Sequence, residues 1–153
     1  MKNLAKSFVI FVGCLAVADV ALAIDPRLPF VSVSVPRVPI NVGVVWGPGT
    51  TRVGAQVEAH VVANCPYHIE ASFQGFRHAK SGAAMWPQHQ QVAINGKEVP
   101  VGTGRAAIAQ SSKPTPAGGV DVPLDLQLSV SNLASCPAGR YNGALVIRVM
   151  AKP

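Results

Sequence analysis

From Val120 to Ser131 the chain alternates between two kinds of side chain. Val120, Val122, Leu124, Leu126, Leu128 and Val130 fall on one face. Asp121, Pro123, Asp125, Gln127, Ser129 and Ser131 fall on the other. A period of two is the mark of a strand with one buried face, because successive side chains of a strand point to opposite sides. A helix would scatter the same residues around its whole circumference. Pro123 has no N–H for a ladder, so the start of this strand is expected at an edge or a bulge.

The same period recurs along the chain. Val53, Ala55, Val57, Ala59 and Val61 share one face, and Gln56, Glu58 and His60 the other. Cys65 keeps the apolar parity, and Tyr67, Ile69, Ala71 and Phe73 continue it past Pro66. Pro66 either bends one long strand or separates two. Gln91–Val101 reads as a hairpin closed by Asn95-Gly96, a dipeptide suited to the positive φ angles of a tight turn. That register pairs Val92 with Val99. The last strand is expected over Tyr141–Met150, with Tyr141, Leu145, Ile147 and Val149 inward. Val31, Val33 and Val35 alternate, then Val38, Ile40, Val42 and Val44 alternate on the opposite parity, so the Pro36-Arg37 step must flip the face.

Loops are expected at Gly47–Thr50, Phe76–Gln90 and Ser111–Gly119. No amphipathic helix of ten residues is visible; Ala83–Trp86 and Arg105–Gln110 suggest a short turn at most. About seven or eight short strands in one domain indicate an all-β, Ig-like two-sheet antiparallel sandwich, with a small β-barrel as the alternative.

The first 23 residues read as a removable signal peptide. Lys2 and Lys6 precede the apolar stretch Phe8–Val17, and Ala21-Leu22-Ala23 fits a small-x-small cleavage site. A membrane anchor needs about 20 apolar residues, and Asp19 interrupts this stretch. Phe11-Val12-Gly13-Cys14 loosely resembles a lipoprotein box, which makes lipidation at Cys14 a lesser alternative. Cleavage after Ala23 leaves residues 24–46 as an extended arm or first strands and 47–153 as the sandwich. It also leaves 11 basic and 6 acidic side chains, a formal charge of +5. The basic residues are scattered and no aromatic-interleaved stripe occurs, so nucleic acid is not an expected partner. Glycans or an anionic surface fit the charge better. A secreted, periplasmic or cell-surface location follows.

Cleavage discards Cys14 and leaves Cys65 and Cys136, each before a proline. An even pair in an exported protein is most simply a disulfide. It would close a loop of about 70 residues and contribute ~4 kcal/mol by loop entropy.

Little in the sequence points to catalysis. No G-x-S-x-G occurs, and the acids Glu58, Glu70, Asp121 and Asp125 lie on outward strand faces. His60, His68, His78 and His89 match no tight metal spacing, and no cofactor is implied. The aromatic candidates for stacking a ligand are Trp46, Trp86, Tyr67, Phe73, Phe76 and Tyr141. Among them Trp86, in the long loop with His78 and His89, is the best candidate for a sugar or metal site.

Pro137-Ala138-Gly139-Arg140-Tyr141-Asn142-Gly143-Ala144-Leu145-Val146-Ile147-Arg148-Val149 resembles the closing strand of bacterial surface sandwiches. Asn64-Cys65-Pro66-Tyr67 resembles strand-end cysteine motifs of spore-coat-U-like and pilin-like domains. That resemblance implies an interaction module working by strand addition, with protein partners or self-association at the cell surface. Val31, Val33, Val35, Val38, Ile40, Val42 and Val44 are the candidate donor strand. The expected role is a non-catalytic structural or adhesive subunit, with a secreted carbohydrate- or metal-binding module as the alternative.

Overall fold

The computed structural model describes residues 8–15, 28–36, 40–44, 49–131 and 133–152. Eleven strands run through them: β1 (Phe8–Leu15), β2 (Val31–Ser34), β3 (Ile40–Val44), β4 (Thr50–Ala63), β5 (Tyr67–Phe73), β6 (Arg77–His78), β7 (Gln90–Ile94), β8 (Lys97–Val99), β9 (Ala106–Ser111), β10 (Val120–Ser131) and β11 (Gly139–Ala151). The described residues contain no α-helix, only single 3-10 turns at Pro87–His89 and Leu133–Ser135.

The strands form two sheets that do not close into a barrel. One has the order β2-β4-β10-β7-β8. The other has the order β3-β1-β11-β5-β9, with β6 also paired to β11. Every strand pair is antiparallel except β1 with β11, which is parallel. The order β2-β4-β10-β7 is the A-B-E-D sheet of an immunoglobulin sandwich, and β5 and β11 hold its C and F positions.

Alternation explains the long ladders. β10 pairs with β4 from Val120↔Val61 to Ser131↔Thr50, so both apolar faces meet the same core. Its partner on the other side, β7, begins only at Leu126↔Ile94. Pro123 therefore sits where β10 has a neighbour on one side, as its missing N–H requires. Asn95 (φ 51°) and Gly96 (φ 74°) close the β7–β8 hairpin, with Val92 opposite Val99.

At Asn64–Pro66 the chain leaves one sheet and enters the other, so Pro66 separates two strands. The Val31–Val44 region also changes sheets: β2 pairs with β4, whereas β3 pairs with β1. Arg105–Gln110 is not a turn. Ala106–Ser111 is β9, paired to β5 across a bulge at Ile69/Glu70, with Ile108 buried in the core. Between the sheets lie Val61, Leu126, Leu128, Val130 and Ile94 from one side and Ile69, Phe73, Tyr141, Leu145 and Ile147 from the other.

Candidate functional site

The unusual place in this sandwich is the flank of β11. One flank pairs with β5 over Leu145–Ala151 and with β6 at Tyr141–Asn142. The other pairs with β1, parallel and in continuous register from Phe8↔Gly139 to Leu15↔Val146. In the immunoglobulin order this flank belongs to the strand that follows β11 in the chain. Here a segment from before the first strand of the domain takes it. β3 lies outside β1 and pairs with it at Val9↔Val44, Phe11↔Asn41 and Val12↔Ile40. Among the described residues β1 is β3's only partner in the sheet.

The β11 side of this slot is rigidly built. Tyr141 is buried, and its hydroxyl donates to the Pro137 carbonyl at 2.9 Å. This is the corner that a tyrosine makes at the start of an F strand in immunoglobulin-like domains. Gly143 carries no side chain because the rings of Phe76 and Phe73 occupy that space; a Cβ there would lie 2.7 Å from Phe76 Cδ1. The two rings meet edge-on, with centroids 5.1 Å apart. Gly139 (φ 152°) lies against His78 Nε2. Backbone bonds from Gln74 N to Ala144 O (2.9 Å) and Ala79 N to Arg140 O (2.7 Å) hold the long loop to the strand. The Gln90 carboxamide holds the loop from behind. Its Oε1 accepts from Phe76 N–H at 2.9 Å, and its Nε2 donates to Met85 O at 2.8 Å.

Beside the β11 residues that follow Val146 lies an open cleft of about 370 Å³. Ile147, Val149 and Met150 line it on β11 and Val31 and Val33 on β2, together with Arg105.

The candidate residues from the sequence fall in several places. Val31, Val33 and Val35 are not a free donor segment: β2 is the domain's own first strand, and Val33 and Val35 are buried. Ile40, Val42 and Val44 lie in β3, beside the slot; Val38 lies outside the described residues, as does Trp46. The disulfide expected between Cys65 and Cys136 is not formed; both are free thiols. The reason is register. Cys136 precedes Gly139, and Cys65 precedes Pro66, whose carbonyl binds Lys152 N–H at 2.8 Å. The cysteines thus sit at opposite ends of the thirteen-residue β11, roughly 35–40 Å apart at strand rise, whereas a disulfide needs Cα atoms within about 7 Å.

Trp86, His78 and His89 differ in exposure. Trp86 is 64% exposed, but His78 and His89 are each 8% exposed. His78 Nδ1 accepts from Ser81 N–H at 3.1 Å and lies 2.7 Å from its hydroxyl, and its ring packs on Tyr141. Tyr67, Phe73, Phe76 and Tyr141 are core residues. His60 pairs with Asp121 at 2.7 Å on the surface. Glu70 is half-buried, with His68 Nε2 at 3.3 Å and Arg105 at 3.8 Å. Among the described residues no three His, Cys, Asp or Glu side chains gather as metal ligands, and no helix is long and apolar enough to cross a membrane.

A second hollow, of about 530 Å³, lies on the outer face of the β4-β10-β7-β8 sheet. Its floor is low where Gly54, Ala93 and Gly96 replace larger side chains, and Arg52, Gln91, Gln127 and Glu98 stand around it.

No protein-family model matches this chain, and no curated protein is similar to it.

Proposed function

We propose that the protein is an exported, non-catalytic structural or adhesive subunit of a cell-surface assembly, completed by a strand that another polypeptide donates. The observation that carries this reading is the identity of β1. It lies inside the segment that reads as a removable leader, yet it fills a sheet position between β11 and β3. Removal of residues 1–23 takes away both its ladders. Eight residues of β11, Gly139–Val146, lose their partner on that flank. An open, flat, apolar strand edge is a template for another strand. The resemblance of 137–149 to the closing strand of bacterial surface sandwiches agrees with this reading.

The magnitudes favour a real vacancy over a tolerated one. Re-exposing one large apolar side chain costs about 1.5–3 kcal/mol, and a domain's whole net stability is about 5–15 kcal/mol. Each large side chain uncovered along β11 would therefore remove a substantial share of that stability.

Hydrogen exchange on the leader-bearing chain and on residues 24–153 tests this. The alternate amides of Gly139–Val146 that face β1 should be protected in the first and exchange rapidly in the second, while those facing β5 and β6 stay protected in both. Equal protection in both would mean that the sandwich closes without a donated strand, and the reading would fail.

The outer hollow favours a second reading, a binder of short neutral saccharides. The Gln91 and Gln127 carboxamides offer both donors and acceptors to vicinal hydroxyls. Saturation-transfer NMR with chitotriose, repeated on Gln127→Ala, tests it; no transfer to the sugar would exclude this ligand.

A further inference from the structure

We infer that the strand completing the slot comes from a different polypeptide, not from the N-terminal arm of a second copy of this chain. The inference rests on the strand-accepting reading above and concerns who the donor is.

The slot sets a length and a composition. β1 occupies it with eight residues, each paired to β11. That is about 26 Å at the rise of a strand. A cleft also lies beside Ile147–Met150, past the end of the β1 ladder. A donor therefore needs at least eight residues, running parallel to β11. It needs apolar side chains at the alternate positions opposite Tyr141, Gly143 and Leu145, and N–H groups free to join the ladder.

The arm of a second copy fails on both counts. Cleavage after Ala23 would leave Ile24 first. From Leu28 onward the chain is bound to its own domain. Asn64 Nδ2 donates to Leu28 O at 2.8 Å, Asn64 Oδ1 accepts from Phe30 N–H at 2.6 Å, and Asn64 N–H donates to Phe30 O at 3.1 Å. β2 then begins at Val31. Only Ile24, Asp25, Pro26 and Arg27 precede the clamp, and four residues reach ~14 Å at full extension. Peeling off Leu28–Phe30 as well would yield seven residues, two of them the prolines Pro26 and Pro29, which cannot donate to a ladder.

β3 is no substitute. It is five residues long, follows Pro39, and is tethered on both sides by β2 and β4, which hold their own places in the other sheet. As a result the chain accepts a strand without offering its arm onward. In an assembly grown by strand exchange it would sit at an end, or depend on a dedicated partner protein.

The test uses residues 24–153 refolded at rising concentration, alone and with a synthetic peptide of Phe8–Leu15 sequence carrying Cys14→Ser and a solubilising lysine tail. Light scattering after size exclusion is expected to give one copy plus one peptide. Deletion of Ile24–Arg27 should leave that complex unchanged. Regular homopolymers that grow with concentration and vanish on deletion of Ile24–Arg27 would overturn this inference while leaving strand acceptance intact. A folded monomer that ignores the peptide would instead overturn strand acceptance itself.

A second form guards against poor refolding. The Phe8–Leu15 sequence is joined after Pro153 through about 20 Gly/Ser residues, long enough to return to the start of β11. This tethered chain should fold as a monomer. Its failure to fold would count against the strand-accepting reading. Homopolymerisation of the tethered chain through residues 24–27 would count against the choice of donor.

Discussion

The Tyr141 hydroxyl reaches back four residues to the Pro137 carbonyl, at 2.9 Å, and ties the start of β11 to the turn that precedes it. The slot begins two residues earlier, at Gly139, so this bond sets the angle at which the accepting strand starts. Tyr141→Phe keeps the ring in the core and removes the donor. The expected cost is about 1–2 kcal/mol, the value of a hydrogen bond lost at a partly buried site. Urea denaturation of the two leader-bearing proteins measures it, and equal midpoints would show that the corner contributes nothing.

The same residue makes stability depend on alkaline pH. Burial, with Coulombic repulsion from the nearby Cys136 side chain adding to it, raises the Tyr141 phenol from 10.0 to about 12. The folded chain therefore keeps the phenolic proton when the unfolded chain has lost it. The contribution is fully present below pH 10 and is lost as pH rises toward 12. Its size is on the order of 2–3 kcal/mol, at about 1.4 kcal/mol for each pH unit between the unfolded and folded values. Denaturation curves at pH 9, 10.5 and 11.5 should show a fall in wild type that Tyr141→Phe lacks. Parallel curves for the two proteins would refute the assignment.

Gly143 marks the closest packing behind the slot. A Cβ there would meet Phe76 at 2.7 Å and Phe73 at 2.9 Å, and neither ring has room to retreat, since both are buried in the core. Gly143→Ala should destabilise by about 1–3 kcal/mol through overpacking. Gly118→Ala is the control; no atom lies within 4 Å of its added Cβ. A thermal melt that ranks the two variants equally would show that the Phe73–Phe76 pair can move aside.

Much of the sandwich is legible in the sequence because alternation reports a buried face directly. β4, β10 and the Asn95-Gly96 hairpin follow from it, as does the inward set Tyr141, Leu145 and Ile147 on β11. Alternation says nothing of position along the strand. Cys65 and Cys136 therefore look like a clamp on paper, yet they lie at opposite ends of β11. Ala106–Ser111 has one large apolar residue, Ile108, and weak strand propensity; β5 makes it a strand. Phe8–Leu15 is apolar throughout, a pattern that suits a leader and a buried strand equally. The slot is invisible until the register of β11 is known. His78 reads as a loop histidine because its burial depends on Gly139, more than 60 residues away.

Gln90 is the strongest single anchor of the long loop. Its carboxamide is buried, with 3% of the residue exposed, and it satisfies Phe76 N–H and Met85 O together. Gln90→Leu fills similar space and strands both backbone groups. At about 1–3 kcal/mol for each unsatisfied group, the variant should lose about 2–4 kcal/mol. Proteolysis should then cut within residues 76–89 first. A variant as stable as wild type would mean that other groups satisfy Phe76 and Met85.

With its two thiols at opposite ends of β11, the protein should not depend on oxidation for its fold. Dithiothreitol should leave the melting temperature of the leader-bearing chain unchanged, and Cys65→Ser should do the same within about 0.5 kcal/mol, as expected for a substitution outside the core. The thiols should differ in access. Cys65 is half-buried, with its sulfur 3.8 Å from Phe30 O, whereas Cys136 is buried near Tyr141. Iodoacetamide should label Cys65 in the folded protein and Cys136 only after the start of β11 opens. Labelling of Cys136 should therefore accelerate when residues 1–23 are removed and slow again when the Phe8–Leu15 peptide is added. A Cys65–Cys136 peptide recovered from trapped, non-reduced digests would contradict both the register and this prediction.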